Sequence, residues 1–140
     1  MAEGLDLGVS AQHLYAKLTA AAGLTGLTVY EGIAPDNAAD VFVTFEYFQE
    51  DRAVTMGTGA IYFMSRPRYK VVAIGKDRPF SALRVYGQAI YGALHNTSSS
   101  LASGTCTTIA VSPFQQEDPE EGGVIYRHAG WIIECFTRSS

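Results

Sequence analysis

The chain has 140 residues, enough for one domain whose hydrophobic core needs no disulfide or metal staple. Apolar residues make up 47% and charged residues only 17%, against about 25–35% on a well-solvated monomer, so either Ser, Thr, Gly and Gln supply the missing polarity or part of the surface is hidden in an assembly. A net charge of −4 with ten basic side chains argues against a general nucleic-acid clamp, which needs a basic excess to neutralise phosphates.

The charges are unevenly spread. Residues 1–60 carry eight acidic and two basic side chains, whereas residues 66–84 carry six basic ones (Arg66, Arg68, Lys70, Lys76, Arg78 and Arg84) against Asp77 alone. A second acidic group follows at Glu117, Asp118, Glu120 and Glu121. Such polarity suits contact between complementary surfaces, although a merely solvated distribution explains it too. The start, MAEGLDLGVSAQ, lacks the basic cluster and apolar stretch of a secretory leader, and no run approaches the roughly 20 apolar residues of a membrane helix. Synthesis in the cytoplasm and no membrane partner are expected.

In chain order, residues 10–22 predict a helix. Ser10 is placed to cap it, Leu14, Leu18 and Ala21 form its apolar stripe, and Gly23 is a stop that tolerates the left-handed conformation. Residues 27–30 read as a short strand, followed by a turn-rich loop around Pro35, Asp36 and Asn37. VFVTFEYF, residues 41–48, is a strand with aromatics on both faces: Val41, Val43, Phe45 and Tyr47 on one, Phe42, Thr44, Glu46 and Phe48 on the other. One face can meet helices; the other needs a loop or a neighbour to cover it. Residues 49–58 are polar and end in glycines, which suits a hairpin arm. Residues 60–64 and 69–74 read as two strands around a turn at Pro67, which cannot donate to a central ladder.

FSALRVYGQAIYGALH, residues 80–95, predicts a second helix, with Asp77 as its cap and Phe80, Leu83, Tyr86 or Gly87, Ile90 and Leu94 along its inner face. Gly87 and Gly92 each cost roughly 1 kcal/mol of helix propensity, so close approach to a sheet is the expected reason for both. Residues 96–104 read as a Ser-rich loop, and 105–112 as a strand closed by Pro113. An exposed acidic loop then runs to residue 121, and two closing strands, 124–128 and 131–137, flank the Ala129-Gly130 step, where Gly130 is either a bulge or a turn. The expected fold is α+β: a mixed, mostly antiparallel β-sheet with two α-helices packed on one face, plus a β-hairpin arm.

Reactive chemistry is hard to find. His13, His95 and His128 fall near element edges and in no metal-ligand spacing, and Cys106 and Cys135 read as buried free thiols. Gly57-Thr58-Gly59 lacks the lysine and the strand-to-helix setting of a phosphate loop. Glu134, inside a strand, demands a partner if buried, with Arg127 or Arg84 as candidates. No catalytic set, metal or cofactor is expected.

The order of these features resembles the tail terminator (tail-completion or minor tail) proteins of tailed bacteriophages. The likeness rests on AQHLYAKLTAA, the Leu27-Thr28-Val29-Tyr30 strand with Ala34-Pro35 after it, VFVTFEYF, PFSALRVYGQAIYGALH, and the ending Tyr126-Arg127-His128 then Gly130-Trp131; it covers roughly residues 12–137, so the whole chain is expected to be one tail-terminator-like domain. The resemblance implies a non-enzymatic virion protein at the head–tail junction. As a homo-hexameric ring it would sit on the last ring of the tail tube, end tube polymerisation and offer a surface to the head connector or neck protein, while DNA passes through the lumen without specific binding. Candidate subunit-interface residues are Arg66, Arg68, Lys70, Arg84, Phe42 and Phe48. Candidate contacts to tail tube or connector are Glu50, Asp51, Arg52, Glu117, Asp118, Glu120 and Glu121, because scaffold-held loops usually carry such contacts. A head–tail joining protein or a tail tube protein of the same machine is the near alternative. A small-ligand-binding domain, which needs an enclosed pocket between helices and sheet, is the distant one.

Overall fold

The computed structural model describes residues 7–57, 60–101 and 104–139; the side chains at 7, 49–65 and 139 lie outside that description. Helix α1 (Leu7–Ala20) is followed by a 3-10 turn (Ala22–Leu24) and strand β1 (Val29–Glu31). Strands β2 (Val41–Gly57) and β3 (Ala60–Lys76) precede helix α2 (Phe80–Leu94), and β4 (Thr97–Leu101), β5 (Gly104–Glu117) and β6 (Tyr126–Ser139) complete the chain. One six-stranded sheet runs in the order β1-β2-β3-β6-β5-β4. Only β1 and β2 pair in parallel, and the sheet curls toward a half-barrel.

Both helices pack on one face. Val9, Leu14 and Leu18 of α1 and Ile90 and Leu94 of α2 meet Val43, Phe45, Tyr69, Val71, Ala73, Ile133 and Cys135, the alternate residues of β2, β3 and β6. The α+β reading holds; Val43 and Phe45 mark the β2 face that meets the helices, and Leu83, Gly87, Ile90 and Leu94 are the buried part of the expected α2 face, whereas Tyr47 is exposed. Cys106 and Cys135 are free and buried, and burial pushes the Cys135 thiol up.

Several expectations are corrected. Helix α1 begins at Leu7, so Ser10 is no cap: it is buried, and its Oγ lies 2.8 Å from the Tyr69 hydroxyl. Gly23 sits in the 3-10 turn without a left-handed backbone; a Cβ there would come 2.7 Å from that of Ala89, so its role is close approach to α2. Asp77 does not cap α2, whose N-cap position is Pro79. With φ +54, Asp77 instead accepts from Ile125 N–H at 3.0 Å and donates its own N–H to the Ile125 carbonyl at 2.8 Å. Gly87 does face the sheet, but Gly92 is exposed with nothing within 4 Å, so close approach does not explain it.

The strands are longer than the sequence suggests. The turn expected at Pro67 is absent: β3 is continuous, pairing with β2 from Val41↔Gly75 to Gly57↔Ala60. The missing proline donor instead falls where the β3–β6 ladder skips from Ser65↔Thr137 to Arg68↔Glu134. The supposed Ser-rich loop contains β4, paired with β5 from Thr97↔Thr108 to Leu101↔Gly104. Strand β5 continues through Pro113 to Glu117, and the two closing strands are the single strand β6. Gly130 is neither turn nor bulge. It pairs with Val72 on one side and Phe114 on the other.

Candidate functional site

Alternation along the strands puts Phe42, Thr44, Glu46, Phe48, Lys70, Val72, Ile74, His128, Ile132 and Glu134 on the face opposite the helices. Chain segments cover this face only in part. Tyr30 meets Phe42 edge-on at 5.8 Å between ring centres, which leaves Phe42 buried, whereas Phe48 stays 49% exposed. Trp131, on the helix side, is satisfied within the chain: its indole N–H donates to the Gly87 carbonyl at 3.0 Å, and its ring meets Tyr91 at 4.9 Å. Phe42 and Trp131 therefore find cover within the chain, and Phe48 does not.

The centre of this face is a charged row set in apolar surroundings. Lys70 reaches Glu46 at 3.5 Å and lies over the Phe114 ring at 5.3 Å. Phe114 was expected in a loop; β5 carries it onto the sheet instead. Arg68 Nε–H donates to Glu134 Oε2 at 3.2 Å, so the partner of buried Glu134 is Arg68, and neither Arg127 nor Arg84. Arg127 pairs with Glu117 at 2.7 Å and also donates to the Arg78 carbonyl. Asp118 holds the buried His128 ring at 2.9 Å. Burial pushes the Asp118 carboxyl up, but its hydrogen bonds to His128 and Gln116 outweigh that and leave it below the usual carboxylate range.

Two shallow grooves flank Lys70. One of about 260 Å³ runs between Ile33, Phe42, Thr44 and Ile74 on one side and Asp118, Tyr126 and His128 on the other. The second, of about 280 Å³, is bounded by Phe48, Phe114, Gln116 and Ile132. Ile33 (90% exposed) and Tyr126 extend the apolar surface at the rim. At the junction of α2 with β5 and β6, where a ligand-binding domain would put its pocket, the space is about 160 Å³, below the roughly 300–1,000 Å³ of small-molecule sites. Among the described residues, no three His, Cys, Asp or Glu side chains converge on a metal position, and no helix is long and apolar enough to cross a membrane.

The candidate residues do not form one cluster. Lys70, Arg68, Phe42 and Phe48 share the helix-free face, Arg66 is exposed beside them on β3, and Arg84 is exposed on α2. Glu117 and Asp118 are held by Arg127 and His128, and Glu120 and Glu121 are exposed in the β5–β6 connection. Glu50, Asp51 and Arg52 lie on the β2 arm, paired with Pro67, Arg66 and Ser65; their side chains fall outside the described residues. Sequence reasoning missed His13, which is fully buried inside α1 rather than near an edge. Its position among Val9, Ser10 and Leu14, on the inward stripe, was the available signal.

No protein-family model and no curated protein sequence matches the chain. Among solved structures, it is similar to a protein of the virion of a native gene transfer agent (GTA) particle, with a TM-score of 0.67 and 18% identity over 94% of this chain and 96% of that one. At that identity the likeness is one of fold, and it spans both chains almost end to end.

Proposed function

We propose that the chain is a structural virion protein of a tailed, phage-like particle: a ring, hexameric in its working form, that caps the tail tube, ends its polymerisation and presents a surface to the head connector or neck. The observation that carries this reading is the end-to-end likeness in fold to a virion protein. Three features of the chain support it. The helix-free face keeps Phe48 and Ile33 exposed beside open grooves. The charged side chains of that face, Lys70 with Glu46 and Arg68 with Glu134, are committed to pairs with one another, as in a contact surface rather than a reaction centre. The acidic and basic segments are separated as a heterologous, closing contact between copies requires. In this reading Arg66, Lys70, Arg84 and Phe48 serve the subunit interface, with Arg68 and the Tyr30-covered Phe42 behind them. The arm at Glu50, Asp51 and Arg52 and the connection at Glu117, Asp118, Glu120 and Glu121 meet tube or connector, and DNA crosses the lumen ungripped.

Light scattering with mass determination, followed by electron microscopy of the protein mixed with tail tube subunits, tests it. A closed ring that appears at tube ends and halts elongation is expected. A species that stays monomeric and never binds tubes overturns the reading, and long polymers formed by the chain alone would make it a tube subunit instead.

A further inference from the structure

The polar cluster beneath α1 carries an inference independent of the assembly reading. His13 is fully buried, with Nδ1 2.7 Å from Ser99 Oγ on β4 and Nε2 3.0 Å from Thr108 Oγ1 on β5. Thr108 Oγ1 donates its own proton to the Leu94 carbonyl, at 2.6 Å, where α2 ends. Only its lone pairs remain for the imidazole, so Nε2–H donates to Thr108, and Nδ1 accepts from the Ser99 hydroxyl. Thr97 Oγ1 donates to the same Leu94 carbonyl at 3.2 Å, closing a network that joins both helices to both strands. This arrangement requires a neutral ring.

Strand β4 has little else to hold it. It is five residues long (TSSSL) and pairs with β5 alone in the sheet, while Ser98 and Ser100 point to water. Detaching α1 would strip Val9, Leu14 and Leu18 from the core, whereas peeling β4 uncovers only Leu101 as an apolar side chain.

We propose that β4 is an acid-released cover strand: a proton taken up by His13 unlatches it from α1 and uncovers the edge of β5 between Gly104 and Thr108.

A protonated Nδ1 would present a second donor to Ser99, whose hydroxyl must turn away, and would leave a charge without a counter-ion. Lys17, further along α1, adds a like charge. The titratable groups on the core face of the sheet are the Tyr69 phenol and the Cys106 and Cys135 thiols, and α2 contributes the Leu94 carbonyl and His95, which is occupied as acceptor of the Ala110 N–H at 3.1 Å. Strand β1, which also packs against α1, brings the Glu31 carboxylate, but it is exposed to water and acts on the Tyr69 phenol rather than on His13. Burial first, and Lys17 second, hold the His13 pKa down from 6.5 to about 4. The open strand therefore binds the proton more readily than the closed one. The closed form has its full advantage above pH 6.5, loses it as pH falls from 6.5 toward 4, and loses no more below that.

Hydrogen exchange on the whole chain between pH 7.5 and 4.5, corrected for intrinsic rates, tests this. Protection of the β4 amides should fall about tenfold per pH unit below 6.5 while β3 and β6 remain protected. In His13→Gln that slope should vanish. A flat β4 profile in the wild type, β4 opening only in step with β3 and β6, or an unchanged slope in His13→Gln would each overturn the proposal. If His13→Gln does not fold, the wild-type His13 ring resonances serve instead: they should titrate across the interval in which β4 opens, and titration complete by pH 6 with β4 still protected is the overturning result.

Discussion

At the scale of single residues, Gly130 and Gly87 face each other where α2 crosses β6, yet they answer to different constraints. A Cβ on Gly130 would land on the Val71 carbonyl and within 2.7 Å of Val72 Cα, backbone atoms that can move only if β3 and β6 separate. Gly130→Ala should therefore cost roughly 3 kcal/mol or more. At Gly87 the nearest atom would be Gly130 Cα at 3.9 Å, an ordinary contact, and alanine gains up to about 1 kcal/mol of helix propensity. Urea denaturation of the two variants should give a large loss for the first and no loss for the second. A mild Gly130→Ala would mean that the strands yield there. Sequence reasoning assigned Gly87 to a close approach and Gly130 to a bulge or a turn. It could not rank them, because rank depends on what lies opposite, which is knowable only once β3, β6 and α2 are in register. Glu134 teaches the same lesson: its need for a cation was legible from its place between Ile132 and Phe136, while Arg68, 66 residues earlier, is its partner only through the β3–β6 pairing.

Among whole elements, those with a strong period were legible: α1, α2 and the VFVTFEYF part of β2 follow from the spacing of their apolar residues. The missed segments break the local rules. Strand β4 is nearly all serine and threonine, and its inward side is polar because it meets His13 rather than hydrocarbon. Strand β5 keeps Pro113 because β4 ends its pairing at Thr108, so beyond that point β5 has an outer edge where no donor is needed. The irregularity between Ala110 and Ser112 adds to this, since a bulge and a proline both blunt an edge against unwanted strand pairing. Deleting Val111 should close the bulge into a regular ladder, with Ala110 still opposite Ile133, Ser112 still opposite Ile132, Phe114 still over Lys70 and Glu117 still beside Arg127. We expect a change of no more than about 1 kcal/mol by calorimetric melting. A loss of about 3 kcal/mol or more would mean that the strand needs the extra residue.

For the molecule as a whole, the layering of two helices on a mostly antiparallel sheet could be read from the sequence, and so could the excess of apolar strand face. How much of that face the chain covers by itself could not, because Tyr30 and Phe114 reach it from segments that read as a short strand end and a loop. The division of the basic stretch also emerged only in three dimensions. Arg66 and Arg84 are exposed, whereas Arg68 is tied to a buried carboxylate. Charge complementarity between copies is therefore best tested with Arg66→Glu and Arg84→Glu together. The pair should leave the melting temperature within a few degrees of wild type and weaken ring formation at least tenfold by sedimentation, most visibly at low salt. Assembly unaffected by the double reversal would remove these arginines from the interface. Arg68→Glu should behave differently, lowering stability before assembly is even at issue, because it leaves the largely buried Glu134 carboxylate facing a second carboxylate in place of its cation.

Strand β6 sits between β3 and β5, so the two halves of the sheet have no direct seam with one another. On the ribosome, residues 41–117 emerge with the inner margins of both halves bare, and although the helices touch both halves, no strand pairing joins them until residues 126–139 arrive to be threaded between. A nascent chain stalled before that point would present two hungry margins to its surroundings, which makes the slot for β6 the place where a chaperone, or a misplaced strand from a neighbouring copy, would first find purchase.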